Sequence, residues 1–372
     1  MTMMMQTVPG ASATGQDRRC RFAPFGTDPA VARAWARLEG SARLPTQSQA
    51  FIAALSRTML AGARIAIVLA PGVDGGSALL PLCREKGWLA RWRTAGSLEV
   101  FEPVDALYAG ADGARLLAET VARQSRPLRL DRMPADSALV PALKAAMAGR
   151  GWLSVRPAQS SPLITLDEGW ESPESRFNAR RRSDFRRAAR RAEALGVVSW
   201  EVLSPTPAEF DALFDEAIAI ELRSWKKAAG TAIALDPAKE AFFRAFFRAA
   251  CAEGTFRAAF LRIDGRAVAM QLALESYGRF WLFKIGYDEA CGKCSPGTLL
   301  MLHTLGWAKR RGLRSYELLG ESEAWIADLW TRECREHVRV RTYPFGLRGV
   351  LALAADAAAW VAARLRRAGR AA

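Results

Sequence analysis

The residues with the clearest capacity for chemistry lie between Phe256 and Trp330. Within that stretch, Gly292-Lys293-Cys294-Ser295-Pro296-Gly297-Thr298 runs straight into a helix-forming segment, Leu299 to Arg311. Ser295 is a good N-cap type and Pro296 suits the first helical position. Gly297 lets a ligand approach the backbone closely, and Lys293 adds a mobile positive charge. A helix N-terminus offers free N–H groups and a partial positive charge. The set fits a pyrophosphate, and the same residues also fit a capped helix with no ligand.

Two histidines, His303 and His337, give little support to a Ser-His-Asp or Cys-His mechanism. His303 falls in mid-helix beside Leu302, Leu305 and Trp307 and reads as packed. Acid–base work then falls to carboxylates, tyrosine or lysine. The candidates near strand ends are Lys284, Tyr287, Asp288, Glu317 and Glu321. Cys291-x-x-Cys294 lacks the second pair of ligands that zinc requires, so no metal is expected. Trp225-Lys226-Lys227 precedes a glycine-bearing loop. It reads as a helix C-terminus with favourable lysine charges or as the edge of an acceptor site.

Several elements must position these groups. Phe256 to Gly286 reads as three strands joined by tight turns, and Ser315 to Leu319 as a fourth beyond the helix. Val198 to Leu203 is a strand; Thr206 to Trp225 and Pro237 to Glu253 are helices. Before them lies the most basic stretch, Glu174 to Leu195, with eight arginines from Arg176 to Arg191. Its Phe185, Ala188, Ala189, Ala192 and Leu195 form an apolar stripe at helical spacing. The face between the arginines is alanine, which offers nucleic-acid bases little to stack on.

The first half alternates likewise. Helices are expected over 28–38, 47–61, 111–123 and 138–150, and strands over 64–69, 77–82, 128–130 and 152–156. Residues 1–20 read as loose. After Tyr343 a Pro/Gly break leads into an Ala/Arg-rich terminal helix, which fits either packing or rest on an anionic membrane surface. The expected division is 1–20, an N-terminal domain over 21–165, a C-terminal domain over 174–345, and a basic helix over 346–372.

Bulk numbers agree with a two-domain protein that favours anions. The chain has 372 residues, half of them apolar, and a net charge of +15. Six scattered cysteines suggest no disulfide framework. No signal peptide or membrane span is recognisable, so a cytoplasmic location is expected.

The C-terminal half resembles the GNAT-type N-acyltransferases, specifically the CelD/BcsL (cellulose biosynthesis acetyltransferase-like) group. The resemblance rests on RFNARRRSDFRR, SWKK with GTAI, FRAAFLRIDGRAVA, KIGYDEA, SPGTLL and IADLW. LPTQSQAF and ALLPL extend it loosely into the first half. Related proteins of the peptidoglycan-aminoacylating Fem type pair two such domains. The implied fold class is α/β (α+β): two GNAT-like domains, each a mixed, largely antiparallel sheet flanked by helices.

The resemblance implies acyl-CoA as co-substrate, with acetyl-CoA the first choice. The acceptor would be an amine, or a hydroxyl, on a sugar, polysaccharide precursor or other small molecule. The pantetheine arm would lie between splayed parallel strands at Phe280–Gly286 and Ser315–Leu319. Lys293, Ser295, Gly297 and Thr298 would hold the phosphates. Glu317 or Asp288 would take the amine proton, and Tyr287 would protonate the thiolate. Trp225, Lys226, Gln271 and Lys284 would face the acceptor. The loop has one glycine at its turn, fewer than the family pattern, which leaves room for another acyl-CoA. Two alternatives follow: a Fem-like transferase using aminoacyl-tRNA, or a non-catalytic GNAT-fold component of a polysaccharide assembly system.

Overall fold

Stretches of β-branched and aromatic residues broken by Asp-Gly and Tyr-Gly turns build most of the sheet. A computed structural model describes residues 21–70 and 77–371, without the side chains of Arg21 and 367–371. The expected loose segment over 1–20 and the glycine-rich turn at 71–76 lie outside the described residues.

The strands are β1 (Arg21–Pro24), β2 (Ile65–Ala70), β3 (Ala78–Arg84), β4 (Trp92–Thr94), β5 (Leu107–Tyr108), β6 (Leu128–Pro134) and β7 (Gly151–Thr165). They continue as β8 (Val198–Leu203), β9 (Phe256–Ile263), β10 (Arg266–Ser276), β11 (Arg279–Tyr287), β12 (Ser315–Glu317) and β13 (Cys334–Pro344). The helices of the first half are α1 (Pro29–Leu38), α2 (Gln49–Arg57), α3 (Gly110–Ala122) and α4 (Leu139–Met147). Those of the second are α5 (Ala179–Glu193), α6 (Phe210–Leu222), α7 (Trp225–Ala228), α8 (Pro237–Ala252), α9 (Pro296–Arg310), α10 (Ala324–Leu329) and α11 (Leu347–Ala371).

The described strands form one sheet in the order β1-β2-β3-β4-β6-β13-β7-β12-β11-β10-β9-β8, with β5 beside β3. The order is palindromic. Each half supplies one parallel pair with a helical crossover: β4 to β6 through α3, and β11 to β12 through α9. All other pairings are antiparallel. The last strand of each half crosses over, so that β13 pairs with β6 and β7 pairs with β12. The fold is thus two topologically equivalent halves, each a mixed sheet flanked by helices, as the resemblance implies.

The halves also meet through side chains. Phe51 of α2 is fully buried and sets its ring edge-on to Phe242 and Phe246 of α8, at 5.4 and 5.3 Å. Three local differences from the sequence reading have physical causes. The helix expected over 206–225 breaks at Arg223, because Ser224 caps a new turn by accepting from Lys226 N. The strand begun at Leu128 runs on to Pro134, paired to β13. Trp152–Arg156 is the start of a strand that reaches Thr165.

Candidate functional site

The parallel pairing of β11 with β12 lasts three residues, Arg279–Trp281 against Ser315–Glu317. Strand β11 then continues to Tyr287 while β12 stops. Its register against β10 also shifts at this point, with Leu272 opposite Lys284 and Ala273 opposite Leu282, so Phe283 bulges. The two strands therefore part where a ligand arm could enter, with backbone N–H groups of β11 released from strand pairing.

A cavity of about 270 Å³ opens in the gap. Its floor is Met270, Gln271, Ile285, Gly286 and Tyr287; its far wall is Gly297, Thr298, Leu300 and Met301 of α9. Trp225 and Trp325 stand at the mouth, 43% and 40% exposed, with Glu323 beside them. Gly286 is needed for close packing: a Cβ there would lie 3.2 Å from Glu221 Cα and 3.1 Å from Met270 Cε. At Gly297 a Cβ would meet only the Tyr287 ring, at 3.4 Å. The space over that residue is therefore open to a ligand.

The N-terminus of α9 is a narrower anion cradle than the residue types suggested. Ser295 occupies the N-cap position, yet it is left-handed (φ 47°) and its side chain caps nothing. Its carbonyl instead accepts from Thr298 N and Leu299 N. Pro296 has no N–H, so Gly297 N–H is the donor left over in this turn. Positive charge comes from neighbours. Arg191 of α5 donates to Lys293 O at 3.1 Å, and Arg223 and Arg266 flank the same loop.

The structure separates the predicted site residues into two groups. Tyr287, Gly297, Thr298, Trp225 and Gln271 meet at the cavity. Asp288 and Glu317 do not line it. Asp288 is buried, accepts from Ala290 N, and holds Arg223 at 2.9 Å and Arg266 at 2.5 Å. Glu317 is buried with Arg335 at 2.6 Å and Ser315 Oγ at 2.7 Å, and Arg279 lies 3.7 Å away. Lys226 is tied to Glu221 Oε1 (3.0 Å) and to Ile285 O (2.7 Å), fastening α7 to the splayed strand.

Gln271 is positioned by a buried chain. Tyr316 OH donates to Gln271 Oε1 at 2.9 Å and lies 3.0 Å from Thr304 Oγ1. Burial raises the Tyr316 hydroxyl's pKa, keeping it a neutral donor. The Gln271 amide is thereby oriented with its nitrogen as the remaining donor.

Lys284 sits on the opposite face of β11, with Nζ 4.3 Å from the Phe243 ring centre. Burial, then Lys226, lowers its pKa to about 8. Its neighbour Glu102, from the first half, is raised by burial to about 7, and its Oε2 has no partner. Glu102, Glu323 and Trp325 were missed in the sequence. Trp325 Nε1 donates to Glu323 at 2.8 Å, a contact that the irregular stretch before IADLW gave no periodic pattern to suggest.

Cys294 Sγ donates to Cys291 O at 2.9 Å. Among the described residues, no group of three or more His, Cys, Asp or Glu side chains is placed to hold a metal. His303 stacks on Trp200 at 5.4 Å, and burial lowers its pKa.

Residues 179–327 match the family profile of the acetyltransferase (GNAT) domain. The second half therefore carries a GNAT-fold acetyltransferase domain. No curated protein matches the sequence. Among solved structures, a conserved protein of unknown function from Bacteroides thetaiotaomicron VPI-5482 is similar at TM-score 0.54 and 10% identity, over 87% of this chain and 100% of that one. FemX is similar at TM-score 0.53 and 11% identity, over 82% and 92%. The C-terminal DUF2156 domain of an Agrobacterium fabrum protein assigned as a lysylphosphatidylglycerol synthetase is similar at TM-score 0.52 and 12% identity, over 84% and 91%. These likenesses are of fold.

Proposed function

We propose that the chain is a GNAT-type acyltransferase moving an acyl group from acyl-CoA to an amine, or a hydroxyl, of a sugar, polysaccharide precursor or other small acceptor. One observation carries this reading: the parallel pair β11/β12 separates after three residues, beside a cavity that reaches the N-terminus of α9. The pantetheine arm takes the gap, and the phosphates take Gly297 N–H and Thr298, within reach of Lys293 and the surrounding arginines. The thioester carbonyl is polarised by β11 N–H groups beyond Trp281. A neutral amine attacks it, the N–C bond forms, and the C–S bond breaks. Tyr287 gives its proton to the departing thiolate.

Asp288 and Glu317 are held in ion pairs outside the cavity. The carboxylate better placed to receive the amine proton is Glu323, at the mouth. Acetyl-CoA is the first donor to test. The CelD/BcsL resemblance favours a glycan acceptor, and acyl-CoA favours the cytoplasmic compartment. We take 21–165 and 174–345 as the domain limits, the second domain holding the donor.

A second reading has its own observation. Arg180, Arg181, Arg186 and Arg190 stand exposed along α5, next to the loop that Arg191 contacts. Such a ridge suits an aminoacyl-tRNA donor and predicts steep salt sensitivity.

Calorimetry and thermal shift with coenzyme A, acetyl-CoA and longer acyl-CoAs test the first reading, because ligands of the native state raise Tm. Gly297→Asp, which adds charge and bulk where the phosphates sit, should weaken coenzyme A binding by at least about tenfold. Unchanged affinity would overturn the phosphate assignment, and absence of binding by any acyl-CoA would overturn the donor.

A further inference from the structure

The terminal helix α11 has one face fastened to the protein and another facing outward. On the inner face, Ala352 is fully buried and its carbonyl accepts from Arg91 at 3.1 Å. Asp356 receives Arg91 at 2.8 Å, Arg341 at 2.9 Å and Tyr343 OH at 2.8 Å. Gly349 is pressed onto Pro344, where a Cβ would fall 1.8 Å from the carbonyl oxygen.

The outer face is apolar. Leu347, Val350, Ala354, Ala358, Val361 and Leu365 follow one another at steps of three or four and so fall on one side of the helix. All six are exposed, Leu347 at 74% and Leu365 at 67%. Arginines bracket this stripe. At its start Arg348 lies near Arg126, whose buried Nη1 has no partner and which Arg84 and Arg64 also repel. At its end stand Arg364 and Arg366, with Arg367 and Arg370 following in the sequence. The helix carries a single acid, Asp356, which is spent on the inner face.

We infer that α11 lies flat on an anionic membrane surface, its apolar stripe among the acyl chains and its arginines at the lipid phosphates. Charge selects this occupant over a second copy. Two such helices packed face to face would set arginines against arginines with no free carboxylate between them. None of the described helices is long and apolar enough to cross a membrane. The fit is therefore to the interfacial plane, where a long amphipathic helix with a basic flank binds.

The test is sedimentation of the full chain with vesicles of phosphatidylcholine alone and of phosphatidylcholine mixed with phosphatidylglycerol. Partition should be at least about tenfold greater on the mixed vesicles and should fall as salt rises. Arg364→Ala and Arg366→Ala should each weaken it by about fivefold. Val361→Glu with Leu365→Glu should abolish it while leaving Tm unchanged, since both side chains point away from the body. Equal partition on the two vesicle types would overturn the inference. So would full retention by the double glutamate variant, or a concentration-dependent dimer that this variant dissociates in a protein that ignores vesicles. The vesicle comparison needs no variant, so a misfolded mutant cannot decide it.

Discussion

Replacing Glu102 by glutamine should stabilise the protein relative to wild type, increasingly so as pH rises from 5 to 7. Glu102 is 7% exposed and wedged between the halves, near Arg132 and Lys284. Burial outweighs both cations and raises its carboxyl from 4.5 to about 7. Between those values the folded state keeps a proton that the unfolded chain has released, so stability falls as pH rises through the window. At about 1.4 kcal/mol per pH unit, the loss from pH 5 to 7 is about 2 kcal/mol as an upper bound. Glutamine cannot ionise and escapes it. Other groups titrate over the same range. Asp105, raised by burial to about 7, has the same sign. His337, lowered by burial to about 4, has the opposite sign, because its stability contribution grows as pH rises towards 6.5. Both are present in the two proteins and cancel in the difference between them. Lys284, lowered to about 8, titrates mainly above the window. Urea unfolding at pH 5, 6 and 7, followed by tryptophan fluorescence, measures that difference. A constant difference, or one that shifts in favour of wild type, would mean that Glu102 is ionised and paired with Arg132 throughout.

Phe51→Ala removes a fully buried ring set between Phe242 and Phe246 and should cost about 3–5 kcal/mol in chemical denaturation. A cost below about 1 kcal/mol would show that the halves do not rest on this contact. Tyr316→Phe removes the donor to Gln271 Oε1 and should cost about 1–3 kcal/mol by leaving a buried acceptor unpaired. Thiol release from acetyl-CoA in the presence of an acceptor should slow in the same variant; an unchanged rate would remove Gln271 from the proposed chemistry.

The hairpin strands were legible because Phe256–Ile263, Arg266–Ser276 and Arg279–Tyr287 join strong strand propensity to Asp-Gly and Tyr-Gly turns. The central strand β13 was not. CREHVRVRTYP reads as charged, yet it lies in mid-sheet because each arginine meets a carboxylate from elsewhere. Arg335 finds Glu317, Arg339 finds Asp131, and Arg341 finds Asp356. The alternation over Val338–Thr342 was available as a period-two signal; the partners that make its burial tolerable were not. The same limit applied to the site. Residue types pointed to Tyr287, Gly297 and Thr298, which do meet. Choosing among carboxylates required knowing which were already held by guanidinium groups, and for Asp288 and Glu317 those partners lie 18 to 65 residues away.

The palindromic sheet invites comparison of the two parallel pairs among the described residues. Its parallel pair is β4 with β6, at Trp92–Leu128 and Arg93–Arg129. Strand β4 ends at Thr94, so no free length remains to part from its neighbour. The chain turns instead at Gly96, where a Cβ would sit 2.6 Å from the Phe51 ring, and the space is filled by the core. The crossover helix is closed as well. Gly113, in the first turns of α3, is jammed against Ser77 O, 2.5 Å from where a Cβ would fall, and Asp112 puts a negative charge in the first turn. In α9 the corresponding turn has no acid, and Gly297 looks onto a tyrosine ring across open space. One architecture thus yields two helix N-termini of opposite character. The first is packed against Ser77 and carries an acid in its first turn. The second is open, with Arg191 and Lys293 beside it, and the proposed donor's phosphates would sit there.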